Sequence, residues 1–215
     1  MRIWIKICAT TSVEDGRAAI AAGADALGFV FAPSKRRVTA EQARAIIAGL
    51  PAGIERVGVF LNETAENIRA TVQHAGLTAV QLHGEETPAL VADLFSRGLR
   101  EPRMGVIKTI VVREDFQDRF MALCRNHAGI DSMLLDSGAG SGRKFDWQAV
   151  RSLLKSSGMR LIVAGGLTPE NVGEAIATFS PWGVDVVTGV EREPGRKDPE
   201  KLKAFVAAVR RAEQS

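Results

Sequence analysis

The chain has 215 residues, 46% of them hydrophobic and 25% charged, a globular composition that excludes wholesale disorder. Its two cysteines, Cys8 and Cys124, form no CxxC pair, which excludes a disulfide scaffold and a cysteine-built zinc finger. The net charge is only +3 and is spread along the chain, so nucleic acid is not an expected partner.

No run approaches the roughly 18 apolar residues that a bilayer span requires. The apolar start Met1-Arg-Ile-Trp-Ile-Lys-Ile-Cys8 is broken by Lys6 and followed by polar residues, unlike a signal peptide. The expectation is a cytoplasmic protein with reduced thiols and no membrane partner.

Taken in chain order, short β-rich apolar runs fall at 3–7, 26–31, 56–61, 79–82, 105–109, 133–135, 161–164 and 184–187. Several are continuously apolar, as strands buried on both faces must be. Helical spacing lies between them. Phe116, Phe120, Leu123 and Cys124 share one face, as do Val172, Ala175, Ile176 and Phe179, and then Leu202, Phe205, Val206 and Val209. Helix starts are marked by Thr87-Pro88, Thr168-Pro169 and Asp198-Pro199, each an N-cap residue before a first-turn proline. Thr39 and Gln42 have capping-box spacing. This alternation, with no Gly-rich dinucleotide turn after the first strand, predicts a single-domain (β/α)8 TIM barrel over residues 1–215.

In such a barrel the chemistry sits where strands end. Lys6-Ile-Cys8 ends the first strand. Cys8 is a general base if nearby Lys6 or Arg36 lowers its pKa, or otherwise a small buried hydrophobe. Cys124, on a helical stripe, reads as core. Arg36 and Arg37 either grip a carboxylate by a bidentate fork or are solvated loop charges. His83 orients substrate, and without a partner at ligand spacing it is not expected to hold a metal. Asp136 precedes the glycine-rich stretch 137–142 and reads as a general acid under a lid, or as a turn cap. Asp185 points into the barrel mouth or pairs with a cation. Gly165, Gly166, Thr188 and Gly189 lie after strands seven and eight, where barrels commonly hold phosphate; the other reading is that the glycines serve tight turns. Trp147 is expected to pack a helix.

Together these positions resemble the phosphoribosylanthranilate isomerase family of tryptophan biosynthesis. The resemblance runs through Lys6-Ile-Cys8, Gly23 to Phe31, Val57-Gly-Val-Phe60 and Val80-Gln-Leu-His-Gly-Glu85. It continues through Leu134-Leu-Asp136, Gly142-x-x-Phe-Asp-Trp147, Gly165 to Val172, Gly183-Val-Asp185, Gly189-Val-Glu191 and Pro194-Gly-x-Lys-Asp198. No single piece is diagnostic, and their order and spacing carry it.

The resemblance implies an Amadori rearrangement of N-(5-phosphoribosyl)anthranilate without metal or organic cofactor, by a monomer or a homodimer. It implies Asp136 as the acid protonating the ring oxygen and Cys8 as the base removing the C2 proton. Arg36 would face the anthranilate end, and the Gly165-Gly166 and Thr188-Gly189 loops the phosphate. Two departures stand out. Ala9 replaces the glycine that usually follows the cysteine, and Val187-Thr188-Gly189 replaces Ser-Ser-Gly, a loss of one hydroxyl worth about 1 kcal/mol if it made a hydrogen bond.

Two rival readings are a related phosphosugar isomerase, such as that of histidine biosynthesis, and a non-catalytic barrel binding a phosphorylated ligand. Cys8, and the absence of a Gly-Gly pair in Leu61-Asn-Glu-Thr64, oppose the first. The pairing of an acid with a base opposes the second.

Overall fold

A computed structural model describes residues 2–96, 104–136 and 159–214. Eight parallel strands close in sequence order into one barrel. They are β1 (Trp4–Ile7), β2 (Ala26–Val30), β3 (Glu55–Phe60), β4 (Ala79–Leu82), β5 (Gly105–Val111), β6 (Ser132–Asp136), β7 (Arg160–Ala164) and β8 (Gly183–Val186). The ring closes where β1 pairs β8, with Lys6 opposite Asp185. Among the described residues the outer helices are α1 (Val13–Ala22), α2 (Ala40–Ala48), α3 (Ala65–Ala75), α4 (Pro88–Ser96), α5 (Phe116–Arg125), α6 (Val172–Phe179) and α7 (Pro199–Ala212). Among the described residues, no helix is long and apolar enough to cross a membrane.

The local signals explain the starts of these helices. Thr39 and Gln42 form a reciprocal capping box at α2. Asp198 accepts from the Glu200 and Lys201 amides ahead of Pro199 in α7. Thr87 Oγ1 accepts from the Leu90 amide at the start of α4. Thr168-Pro169 behaves differently. Thr168 exchanges hydrogen bonds with Asn171 and Glu170, which closes a separate turn, and α6 begins only at Val172. The glycine-rich stretch 137–142 and Trp147 lie outside the described residues.

Two apolar layers hold the fold. Inside the barrel, Ala26, Val57, Ala79, Ile107, Leu134, Ile162 and Ala164 pack together, contributed by β2 through β7. Trp4 and Trp182 stack at 5.1 Å beneath them, and Trp4 Nε1 donates to Glu55 at 3.1 Å. Outside, alternate residues such as Ile5, Ile7, Leu27, Phe29, Val80, Leu82, Val184 and Val186 meet Ile46, Ile68, Val72 and Phe205 of the helices. Burying each such side chain contributes about 1.5–3 kcal/mol. Phe116 and Phe120 of α5 pack on β5–β7, with Cys124 partly buried beside them, as its stripe position predicts. The barrel interior is therefore filled by side chains.

Candidate active site

A cavity of about 420 Å³ opens at the C-terminal mouth. Its lining includes Cys8, Arg36, Gln81, His83, Asp136, Gly165, Gly166, Asp185 and Thr188. Eight of the nine expected site residues thus meet in one place. Gly189 is not among the lining residues, and packing accounts for its identity. A Cβ there would lie 1.9 Å from the Leu167 carbonyl oxygen, so only glycine fits.

The floor is polar and fully bonded. Lys6 is buried and donates to Gln81 Oε1 at 2.8 Å and Asp185 Oδ1 at 2.9 Å. Burial pulls Lys6 down, but Asp185 and Cys8 outweigh it, so the ammonium stays charged. Asp185 therefore both lines the cavity and pairs with a cation, joining its two expected roles.

Lys6 also fixes the next two groups. Because its ammonium takes Gln81 Oε1, the Gln81 amide nitrogen faces Thr109 Oγ1 at 3.2 Å and His83 Nδ1 at 3.3 Å. An amide nitrogen only donates, so Nδ1 accepts and the ring proton sits on Nε2. Nε2 points to Asp136, 4.0 Å from Oδ2. Burial holds His83 below the ordinary histidine range despite Asp136, which makes the imidazole neutral at neutral pH.

Cys8 follows β1 on the wall across the barrel from Asp136, the last residue of β6. Lowering of its thiol by Lys6 or Arg36 is one of its two sequence readings, burial as a small hydrophobe the other. Burial pushes the thiol up, Lys6 and Lys197 pull it down, Asp185 pushes it up, and the net position lies above the ordinary thiol range. Desolvation of the thiolate wins over two nearby ammonium groups. The Arg36 fork is likewise not free to take a ligand side-on. It is half-buried and grips Glu191, whereas Arg37 is exposed. The choice between the two arginines falls on Arg36, which lines the cavity.

Ala9 stands at φ 62°, the left-handed conformation that a glycine would adopt freely, so the substitution keeps the loop and strains it. Gly165 and Gly166 have φ of 87° and 67°, which leaves a side-chain-free backbone at the cavity edge. Among the described residues, no group of three His, Cys, Asp or Glu is placed to hold a metal.

Sequence reading missed Gly28, Gln81, Glu191 and Lys197 as parts of the site. A signal existed for the last two. Pro194-Gly195 is a turn that folds β9 (Glu191–Glu193) onto β10 (Arg196–Lys197), bringing Lys197 to Glu191 at 3.3 Å.

A closed barrel that gathers a thiol, a carboxylate, an imidazole and a bare glycine loop at its C-terminal mouth belongs to the (β/α)8-barrel enzymes. The family model for N-(5'-phosphoribosyl)anthranilate (PRA) isomerase matches residues 5–208, and the chain belongs to that family. It is 45% identical to the N-(5'-phosphoribosyl)anthranilate isomerase of Acidithiobacillus ferrooxidans, over 96% of this chain and 97% of that one. A phosphoribosyl anthranilate isomerase solved with reduced 1-(o-carboxyphenylamino)-1-deoxyribulose 5-phosphate is similar at TM-score 0.82 and 38% identity, covering 97% of this chain and 98% of that one. A monomer generated from the dimeric isomerase of Thermotoga maritima is similar at TM-score 0.81 and 37% identity, with the same two coverages, 97% and 98%.

Proposed function

We propose that this protein is a phosphoribosylanthranilate isomerase, converting N-(5'-phosphoribosyl)anthranilate to 1-(2-carboxyphenylamino)-1-deoxyribulose 5-phosphate in tryptophan biosynthesis. The observation that carries the reading is the placement of Cys8 and Asp136 on facing walls of one cavity whose rim holds the Gly165-Gly166 backbone. An aldose-to-ketose rearrangement needs an acid and a base that reach the sugar from two sides.

In this reading Asp136 gives its proton to the furanose ring oxygen. The C1–O bond breaks as the anilino nitrogen's lone pair forms a C=N bond, leaving a protonated imine. Cys8 then takes the C2 proton, and the electron pair moves through C1 to nitrogen to give the enolamine. Protonation at C1 and loss of the C2 hydroxyl proton complete the ketone. The positive imine next to Cys8 offsets part of the thiol's desolvation, so the base is made when the substrate is ready for it. His83, neutral with its proton on Nε2, donates toward Asp136 once that group is ionised. The Gly165-Gly166 amides and Thr188 take the phosphate, and Arg36 takes the anthranilate carboxylate.

Expression in a bacterium lacking this isomerase tests the reading directly. Growth without tryptophan is expected from the parent and not from Asp136→Asn. A folded parent that supports no growth would contradict the assignment.

A further inference from the structure

A buried charge cluster lies behind the cavity wall beside Cys8. Its centre is Glu191, whose side chain is 5% exposed. Arg36 Nε donates to Oε1 at 2.9 Å and to Oε2 at 3.1 Å, and Nη2 donates to Oε2 at 2.6 Å. From the other side, the Gly195 amide donates to Oε1 at 3.1 Å and Lys197 Nζ donates to it at 3.3 Å. Lys201 Nζ holds the Glu191 backbone carbonyl at 2.8 Å. Burial pushes the carboxyl up, but Arg36, Lys197 and the Gly195 amide outweigh it, leaving Glu191 below the usual carboxylate range.

A guanidinium has two edges that can grip a carboxylate, the Nε/Nη2 side and the Nη1/Nη2 end. Glu191 occupies the side edge. Among the described residues, no hydrogen bond reaches Arg36 Nη1, so the end edge keeps its donors. Arg36 sits on the long loop between β2 and α2, 155 residues from Glu191. A loop arginine without such a partner samples many rotamers, whereas one clamped along one edge presents the other in a fixed direction.

We propose that Glu191 is a positioning residue for substrate recognition: it occupies the side edge of Arg36 and so aims the end edge at the substrate's carboxylate. The Pro194-Gly195 turn and Lys197 hold Glu191 itself in place. This inference rests on the isomerase reading above. It makes the hairpin after β8 part of the specificity apparatus.

The test compares two ligands by calorimetry: reduced 1-(o-carboxyphenylamino)-1-deoxyribulose 5-phosphate and its phenylamino counterpart without the carboxyl group. The parent should prefer the first. Glu191→Gln should cut that preference about tenfold while holding the phenylamino affinity within about threefold, because only the charge-assisted bond is misdirected. A role confined to structure would weaken both ligands together and leave their ratio unchanged, which would overturn the proposal. Should Glu191→Gln fail to fold, Glu191→Asp is read by the same ratio, since it keeps the charge near Lys197 and withdraws it from Arg36. A parent that binds neither ligand would overturn the isomerase reading and this inference with it. A parent that binds both, beside a folded variant with an unchanged ratio, would overturn this inference alone.

Discussion

Cys8 Sγ occupies the space that a side chain on Gly28 would fill. A Cβ built on Gly28 would lie 2.4 Å from Sγ and 3.0 Å from the Cys8 Cα. The neighbouring strand is thus bare at the one point where the thiol must sit, which ties a β2 glycine to the chemistry of β1.

Gly28→Ala should therefore displace the thiol, since β1 is fixed by its pairing with β8 and Cys8 N donates to Val186 O at 2.9 Å. A misplacement near 1 Å costs on the order of 100-fold in turnover, and the overpacking costs about 1–3 kcal/mol of stability. Steady-state kinetics and urea unfolding of the variant check both. Parent-like kcat in the variant would show that the thiol's position is not critical.

The thiol's direction of shift sets a pH dependence. Cys8 lies above the ordinary thiol range because it is buried, so its basic form is scarce at neutral pH in the free protein. The thiolate's ultraviolet absorbance in the free protein, followed in a Cys124→Ser background, should therefore grow in only above the ordinary thiol range. A profile that levels near pH 7 would contradict the burial argument.

Ala9 offers a test of strain. Its φ of 62° costs about 1–2 kcal/mol for a residue with a Cβ, while a glycine would add about 0.4–1 kcal/mol of unfolded-state entropy. Ala9→Gly should raise stability by about 0.5–1 kcal/mol, read as an increase in Tm. A lower Tm would mean that the loop is relaxed with alanine.

Lys108 of β5 and Glu86, on the loop after β4, form a further buried ion pair at 2.6 Å. Burial raises Glu86, but Lys108 and two backbone amides outweigh it, and its pKa lies below the ordinary carboxylate range. A depressed carboxyl contributes stability that is complete above its unfolded pKa and lost as pH falls through its folded one. Glu86→Gln should cost about 3 kcal/mol at pH 7, because Lys108 stays buried without its charge partner, and should flatten the acid limb of the stability curve. Urea unfolding across pH 3–7 measures both; an unchanged limb would assign acid lability elsewhere.

The barrel was legible because its strands are buried on both faces and read as apolar runs. Ala79–Leu82 needed no adjustment, and Met133–Leu135 gained only the polar ends Ser132 and Asp136. The site was legible as a set of strand ends, since the barrel itself delivers them to one mouth. What could not be read is whatever depends on distance in space. The upward shift of Cys8 comes from burial, and Arg36 meets a carboxylate 155 residues away. Gly28 looked like any strand glycine until the thiol appeared beside it.

The most direct test is turnover of freshly made N-(5'-phosphoribosyl)anthranilate by purified protein, with Cys8→Ser and Asp136→Asn measured beside the parent for both turnover and binding. The account predicts conversion by the parent, and loss of at least about 1,000-fold in each variant, with binding of the reduced product analogue retained. A folded parent without turnover, or variants that keep it, would contradict the assignment of Cys8 and Asp136 as base and acid.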